Sequence, residues 1–193
     1  MKEVLEKVKQ FAVNAHQGQV RKFAPEPFVV HPIRVMETCA FYSSDLSVLS
    51  AALLHDVIED TELTRNDVLD FLLTVMEPHH ANRTVNLVEQ LTDVYIKANF
   101  PDWNRRKRKR EEIKRLAKVS ADAQTIKYAD VIDNCTAIIE NDVDFADRFL
   151  NECNDLLKKI NKGNSILYIR AVETVKIALR ELKTIQKRSI NQI

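Results

Sequence analysis

Apolar residues recur along this chain at intervals of three and four, the spacing of helices that bury one face, and no segment alternates apolar and polar positions as a half-buried strand would. The pattern predicts helices at about 1–16, 31–42, 45–58, 65–75, 79–95, 102–118, 121–140, 142–160 and 164–187, an all-α bundle of about nine helices. Local signals agree. Thr64 followed by Asp67 resembles a capping box, Pro78 and Pro101 sit near helix starts, and Gly163 separates the last two helices. All five prolines precede residue 102, so the C-terminal half is free to form long unbroken helices.

One stretch disturbs the pattern. In Ala51-Ala-Leu-Leu-His55-Asp56-Val-Ile-Glu59-Asp60-Thr61, four ionisable side chains interrupt an otherwise apolar helix whose core stripe is Leu46, Leu49 and Leu53. His55 and Glu59, and likewise Asp56 and Asp60, fall in i, i+4 register. Neighbouring His55 and Asp56 stand about 100° apart on a helix, so both can lean toward one ion, imidazole nitrogen and carboxylate oxygen together. A helix end with capping and solvated charges explains the same pair, and the dipeptide alone does not decide.

Two further segments carry similar chemistry. Ala15-His16-Gln-Gly-Gln-Val-Arg21-Lys22 is followed, after a proline-rich loop, by His31-Pro32, with Pro32 suited to the first turn of a helix. In Ala123-Gln-Thr-Ile-Lys127-Tyr-Ala-Asp130-Val-Ile-Asp133-Asn134, Asp130 shares a face with Lys127 and Asn134. These three segments, in this order, resemble the HD-domain metal-dependent phosphohydrolases, and within them the small single-domain alarmone hydrolases of the RelA/SpoT type that serve the stringent response. The resemblance spans roughly residues 10 to 140.

The resemblance implies that His31, His55, Asp56 and Asp130 hold a divalent metal, manganese in the family, and that Glu59 and Asp60 occupy the catalytic positions beside it. One of the two would position or deprotonate a metal-activated water. It further implies that Arg21, Lys22, Lys127 and Asn134 meet a nucleotide substrate, and that the reaction removes the 3′-pyrophosphate of guanosine tetra- or pentaphosphate (ppGpp or pppGpp). Two departures bear on which nucleotide fits. Many relatives have arginine after the metal-binding aspartate and histidine or tyrosine before the asparagine, where this chain has Val131 and Asp133. The loop before His31 reads Phe23-Ala-Pro-Glu-Pro-Phe28, where longer relatives usually carry glycine before the proline. A phosphohydrolase of other nucleotide specificity and a non-catalytic nucleotide sensor stay open as alternatives. Glu59 and Asp60 favour chemistry, since a sensor needs ligands but no proton acceptor.

Composition narrows the classes. The 193 residues suffice for one substantial core and leave no room for the synthetase and regulatory domains of the large relatives, so a single HD-type domain is expected over 1–193. Its motif-bearing part is 1–140, and 141–193 is a helical hairpin packing on it or serving a homo-oligomer interface. Phe145, Phe149, Leu156, Leu157, Ile166, Ile169, Val172, Val175 and Leu179 are its expected core positions. A net charge of +1 gives no bulk argument for nucleic acid or membrane, and neither partner is expected. The three cysteines form no Cys-x-x-Cys pair, which suits a reducing, cytoplasmic setting. The first residues alternate charge with apolar positions as an amphipathic helix, not a secretion signal. With only Gly18 and Gly163, phosphate must be handled by metal and cationic side chains and not by a glycine-rich loop.

The run Arg105 to Arg110 is the strongest charge cluster. Six consecutive cations cannot share one helix face, so the run is either a solvated surface, with Glu111 and Glu112 pairing a turn earlier, or brings two or three cations over a polyphosphate cleft. His79 and His80 are expected to be exposed or capping residues.

Overall fold

A computed structural model describes residues 1–22 and 25–190; Phe23 and Ala24 of the proline-rich loop, and 191–193, lie outside the described residues. Ten helical elements follow in order: α1 (Lys2–Ala15), α2 (Val30–Ala40), α3 (Leu46–Leu54), α4 (Val57–Asp60), α5 (Arg65–Val75), α6 (Pro78–Leu91), α7 (Arg105–Leu116), α8 (Ala121–Asn141), α9 (Val143–Leu157) and α10 (Ser165–Ile190). The described residues contain no strand, only an isolated bridge between Val20 and Pro27 that closes the loop after α1. The all-α expectation holds.

Helix α3 is the hub. Every residue from Ser47 to Leu54 is buried, and the small Ala51 and Ala52 let α1, α2 and α6 approach it closely. Asp45 caps its start by accepting from the Ser47 and Val48 N–H groups. Helix α8 forms a second axis, packing against α2, α9 and α10. Tyr128 fixes this packing, its hydroxyl donating to the Ile160 carbonyl at 3.1 Å. Gly163 is required there, because a Cβ would stand 2.7 Å from Tyr128 Cε2 and 2.8 Å from the Thr125 backbone nitrogen. Gly18, at φ +79°, turns the chain out of α1. Thr64 and Asp67 form the reciprocal capping box.

Three sequence expectations need correction. The helix placed at 45–58 is two, broken at His55–Asp56; counting α3 and α4 as one interrupted helix recovers the expected nine. The helices placed at 79–95 and 102–118 are shorter, because residues 92–104 form an irregular connection held by a stack of Tyr95, Phe100 and Trp103. In α10 the buried stripe is Leu167, Ala171, Val175, Ala178 and Leu182, whereas Ile166 and Ile169 are 65% and 55% exposed. Val175 is buried as expected, and Val172 and Leu179 are partly buried against the core, so the two isoleucines near the start of α10 are the positions that miss it.

Candidate metal centre and nucleotide cleft

Separate elements deliver the imidazoles and carboxylates to one point. His31 comes from the first turn of α2, His55 and Asp56 from the break between α3 and α4, and Asp130 from the middle of α8. His31 Nε2 lies 3.5 Å from Asp56 Oδ2 and 3.2 Å from Asp130 Oδ1. His55 Nε2 lies 3.1 Å from Asp56 Oδ1 and 3.9 Å from Asp130 Oδ1. Single donor atoms of His31, His55 and Asp56 all fall within 4.8 Å of one another. An ion with bonds of about 2 Å keeps its donors roughly 3 to 4 Å apart, so the set fits a divalent metal with little adjustment.

Both imidazoles are held in the orientation such an ion requires. His55 donates from Nδ1 to the Ala52 carbonyl at 2.9 Å, giving a helix-end carbonyl a partner where α3 stops. His31 donates from Nδ1 to Asp133 Oδ2 at 2.7 Å. With Nδ1 engaged in each ring, both Nε2 atoms face the carboxylates; that of His31 carries a second proton in the metal-free fold, which a bound ion would displace. His55 Nε2 is buried, and its short approach to Asp56 does not have hydrogen-bond geometry, so it has no hydrogen-bond partner. A buried lone pair without a donor costs free energy unless something electropositive meets it.

The electrostatics point the same way. Burial opposes charge on His31, but hydrogen bonds to Asp130 and Asp133, with the charges of Asp56 and Asp130, raise its pKa to about 9. Burial alone would raise Asp130; Lys127, His31 and His55 overcome it and hold the carboxyl well below the usual range. Lys127 Nζ sits 2.7 Å from Asp130 Oδ2, and Asn134 Nδ2 donates to Asp130 Oδ1 at 2.6 Å. Metal-free, four anionic and neutral donors crowd together with only protons and lysine to balance them.

Glu59 and Asp60 stand beside this group on α4. Glu59 is solvent-exposed by surface area, yet protein surrounds it on several sides and burial, then the charge of Asp93, pushes its pKa to about 7. Glu59 Oε2 also accepts from the Asp93 backbone N–H at 2.8 Å. Asp60 is raised to about 6, by burial first and then by Asp56.

The remaining residues singled out in the sequence differ in accessibility. Arg21 is buried and donates to Asp133 at 2.7 Å and to Asn134 Oδ1 at 2.8 Å, so its guanidinium braces the centre from within. Lys22 is exposed, with Nζ 4.7 Å from the Phe145 ring centroid, and Arg105 packs on the same ring at 5.1 Å. A cavity of about 140 Å³ adjoins the centre, lined by Asp93, Arg105, Lys109, Lys127, Asp130, Asn134, Phe149 and Glu152 among others.

The basic run therefore divides. Arg105 and Lys109 face the cavity, paired with Glu152 at 2.8 Å and Asp93 at 2.9 Å, while Lys107 lies over the Trp103 ring and Arg110 is exposed. Glu111 pairs with the adjacent Arg110 and with Lys114, and Glu112 with Arg115, in place of partners a turn earlier; Glu112 is buried because it accepts the Val94 and Tyr95 N–H groups. His79 and His80 stay apart from the centre, with His80 Nδ1 2.9 Å from Ser47 Oγ. Asp93, Asp133, Arg34 and Glu26 are site residues that the sequence patterns did not single out for a role. Only the departure at Asp133 from the relatives' motif hinted at one of them.

Comparison with known proteins adds an independent line. The family model described as "HD domain" matches residues 9–160. The guanosine-3′,5′-bis(diphosphate) 3′-pyrophosphohydrolase MESH1 of Drosophila melanogaster is 37% identical over 131 residues, 65% of this chain and 64% of that protein. The human protein of the same name is 34% identical over 128 residues, 64% of this chain and 63% of that protein. The bifunctional synthase/hydrolase SpoT of Escherichia coli is 47% identical over 57 residues, which is 30% of this chain and 8% of that much longer protein. Each alignment thus spans less than two thirds of the curated relative. Among solved structures, a metazoan ortholog of SpoT described as hydrolysing ppGpp superposes with a TM-score of 0.74 at 27% identity, covering 89% of this chain and 93% of that one. A protein of Listeria monocytogenes, at 21% identity and TM-score 0.59, shares the fold.

Proposed function

This chain belongs to the HD domain family, and from that premise we propose that it is a metal-dependent phosphohydrolase that removes the 3′-pyrophosphate from guanosine tetra- or pentaphosphate. The observation carrying this reading is the meeting of His31, His55, Asp56 and Asp130 with both Nε2 atoms turned inward. The printed activity of the MESH1 relatives and of the SpoT ortholog supplies the substrate class. Manganese is the proposed ion, since two imidazoles and two carboxylates form a borderline-to-hard set.

When bound, the ion supplies positive charge that polarises phosphate oxygens and acidifies water. The chain's own residues do the rest. Glu59, with a pKa near 7, accepts a proton from the attacking water, and Asp60 orients that water from the neighbouring position. Lys127 and Asn134 keep Asp130 ionised and aimed inward. Arg105 and Lys109 present positive charge in the adjoining cavity, where Phe149 offers an apolar wall to a base or ribose, and Lys22 guards the mouth. A phosphate entering there exchanges places with the carboxylates of Glu152 and Asp93. Arg21 acts from beneath, through Asn134 and Asp133, not by direct reach.

Among the described residues no helix is long and apolar enough to cross a membrane, and Cys39, Cys135 and Cys153 are buried free thiols. The buried free thiols fit a reducing, cytoplasmic setting, and the printed activity of the relatives supports a nucleotide as the small-molecule partner. A panel of guanosine and adenosine nucleotides, with and without manganese, tests the reading: guanosine tetraphosphate should be turned over fastest and only with the ion. Faster release of phosphate from a simple nucleotide would favour the other-specificity alternative.

A further inference from the structure

We propose that Asp133 is a positioning residue, the carboxylate that fixes the proton of His31 on Nδ1 and aims its Nε2 at the metal position. The inference rests on the metal-centre reading above and adds a role for a residue outside the proposed ligand set.

The geometry is specific. Asp133 lies one helical turn beyond Asp130 on α8, so one face of one helix presents both a carboxylate for the ion and a carboxylate for the ion's ligand. Asp133 Oδ2 is 2.7 Å from His31 Nδ1 and accepts from Arg21 at the same distance. Its other oxygen accepts from Arg34 Nε at 2.6 Å. Arg34 stands one turn after His31 on α2, so the carboxylate clamps two consecutive turns of α2 to α8. Glu26 takes the remaining Arg34 nitrogens and also reaches Arg21 at 3.4 Å, which holds both guanidinium groups in place around Asp133.

An ionised carboxylate can only accept, so the His31 nitrogen facing it must carry a proton, and in the neutral, metal-binding form of the ring the opposite nitrogen presents its lone pair. Such an outer carboxylate also strengthens the imidazole as a ligand. The two histidines thereby reach the same tautomer by different means, His55 through a backbone carbonyl and His31 through a side chain that substitution can change. An amide at 133 keeps the shape but loses the charge and can turn its NH2 toward the imidazole.

The test is a titration of manganese into the full chain, wild type and Asp133→Asn, with the melting temperature of each in chelator. The expected result is that Asp133→Asn weakens manganese binding about 10- to 100-fold, while Arg34→Met, which leaves the His31 contact intact, weakens it far less. Equal manganese affinity in wild type and Asp133→Asn would overturn the proposal. A measurement on wild type alone guards against a variant that fails to fold: with Zn2+ bound, 15N–1H correlation of the imidazoles should find the His31 proton on Nδ1. A proton on Nε2 would overturn the proposal even if the centre binds metal. No metal binding by wild type would instead remove the centre itself, and with it the function proposed above.

Discussion

The rings of His31 and His55 meet edge to face with centroids 5.1 Å apart, although one comes from the start of α2 and the other from the end of α3. Two buried imidazoles in van der Waals contact, both turned toward Asp56 and Asp130, are a costly arrangement for a structural core and a natural one for a shared ion.

Asp56 faces both rings, lying 3.5 Å from His31 Nε2 and 3.1 Å from His55 Nε2. Asp56→Ala should therefore abolish metal retention while leaving a folded chain, since its carboxylate is partly exposed and caps nothing. Metal content after gel filtration and circular dichroism of the same sample check this. Full metal occupancy in the variant would contradict it.

Glu59→Gln separates binding from chemistry. The amide keeps an acceptor for the Asp93 N–H but cannot take a proton from water. Turnover should fall about 10²- to 10⁴-fold, with KM and manganese affinity little changed. A rise in KM with turnover intact would assign Glu59 to substrate binding.

Metal binding should strengthen with pH. The His31 pKa rises from 6.5 to about 9 in the metal-free fold, so its protonated form contributes stability that is complete below 6.5 and lost as pH climbs through about 9. An ion must displace that proton, which costs about tenfold in affinity for each pH unit below the folded pKa. The rise in melting temperature caused by manganese should grow between about pH 6.5 and 9. A constant or shrinking rise would argue that His31 is no ligand.

Gly163→Ala addresses the fold apart from the site. Its Cβ would meet Tyr128 Cε2 at 2.7 Å and the Thr125 backbone at 2.8 Å, and the backbone cannot swing aside as a flexible side chain would. Overpacking of this kind costs about 1–3 kcal/mol. A lower melting temperature with unchanged metal affinity is expected; an unchanged melting temperature would show that α10 can shift freely on α8.

What the sequence revealed follows from the range of the interactions. Helical periodicity is local, and so the all-α class and most helices were legible. The convergence of His31, His55, Asp56 and Asp130 was legible only through three motifs in a known order, because no local rule joins residue 31 to residue 130. The break at His55–Asp56 was not, since the i, i+4 register of His55, Asp56, Glu59 and Asp60 is equally that of one continuous helix; the His55 bond to the Ala52 carbonyl accompanies the break. Asp133 and Arg34 acquire meaning only when α2 lies against α8. The basic run looked uniform, and what divides it are Glu152 and Asp93, acids supplied by distant segments.

The central claim is attack by water on the phosphorus next to the 3′ oxygen. Incubating the manganese-loaded protein with guanosine tetraphosphate in 18O-water tests it most directly. The account predicts guanosine diphosphate and pyrophosphate, with the heavy oxygen in the pyrophosphate and no reaction in chelator. Label in the guanosine diphosphate, release of single phosphates, or equal turnover without metal would contradict it.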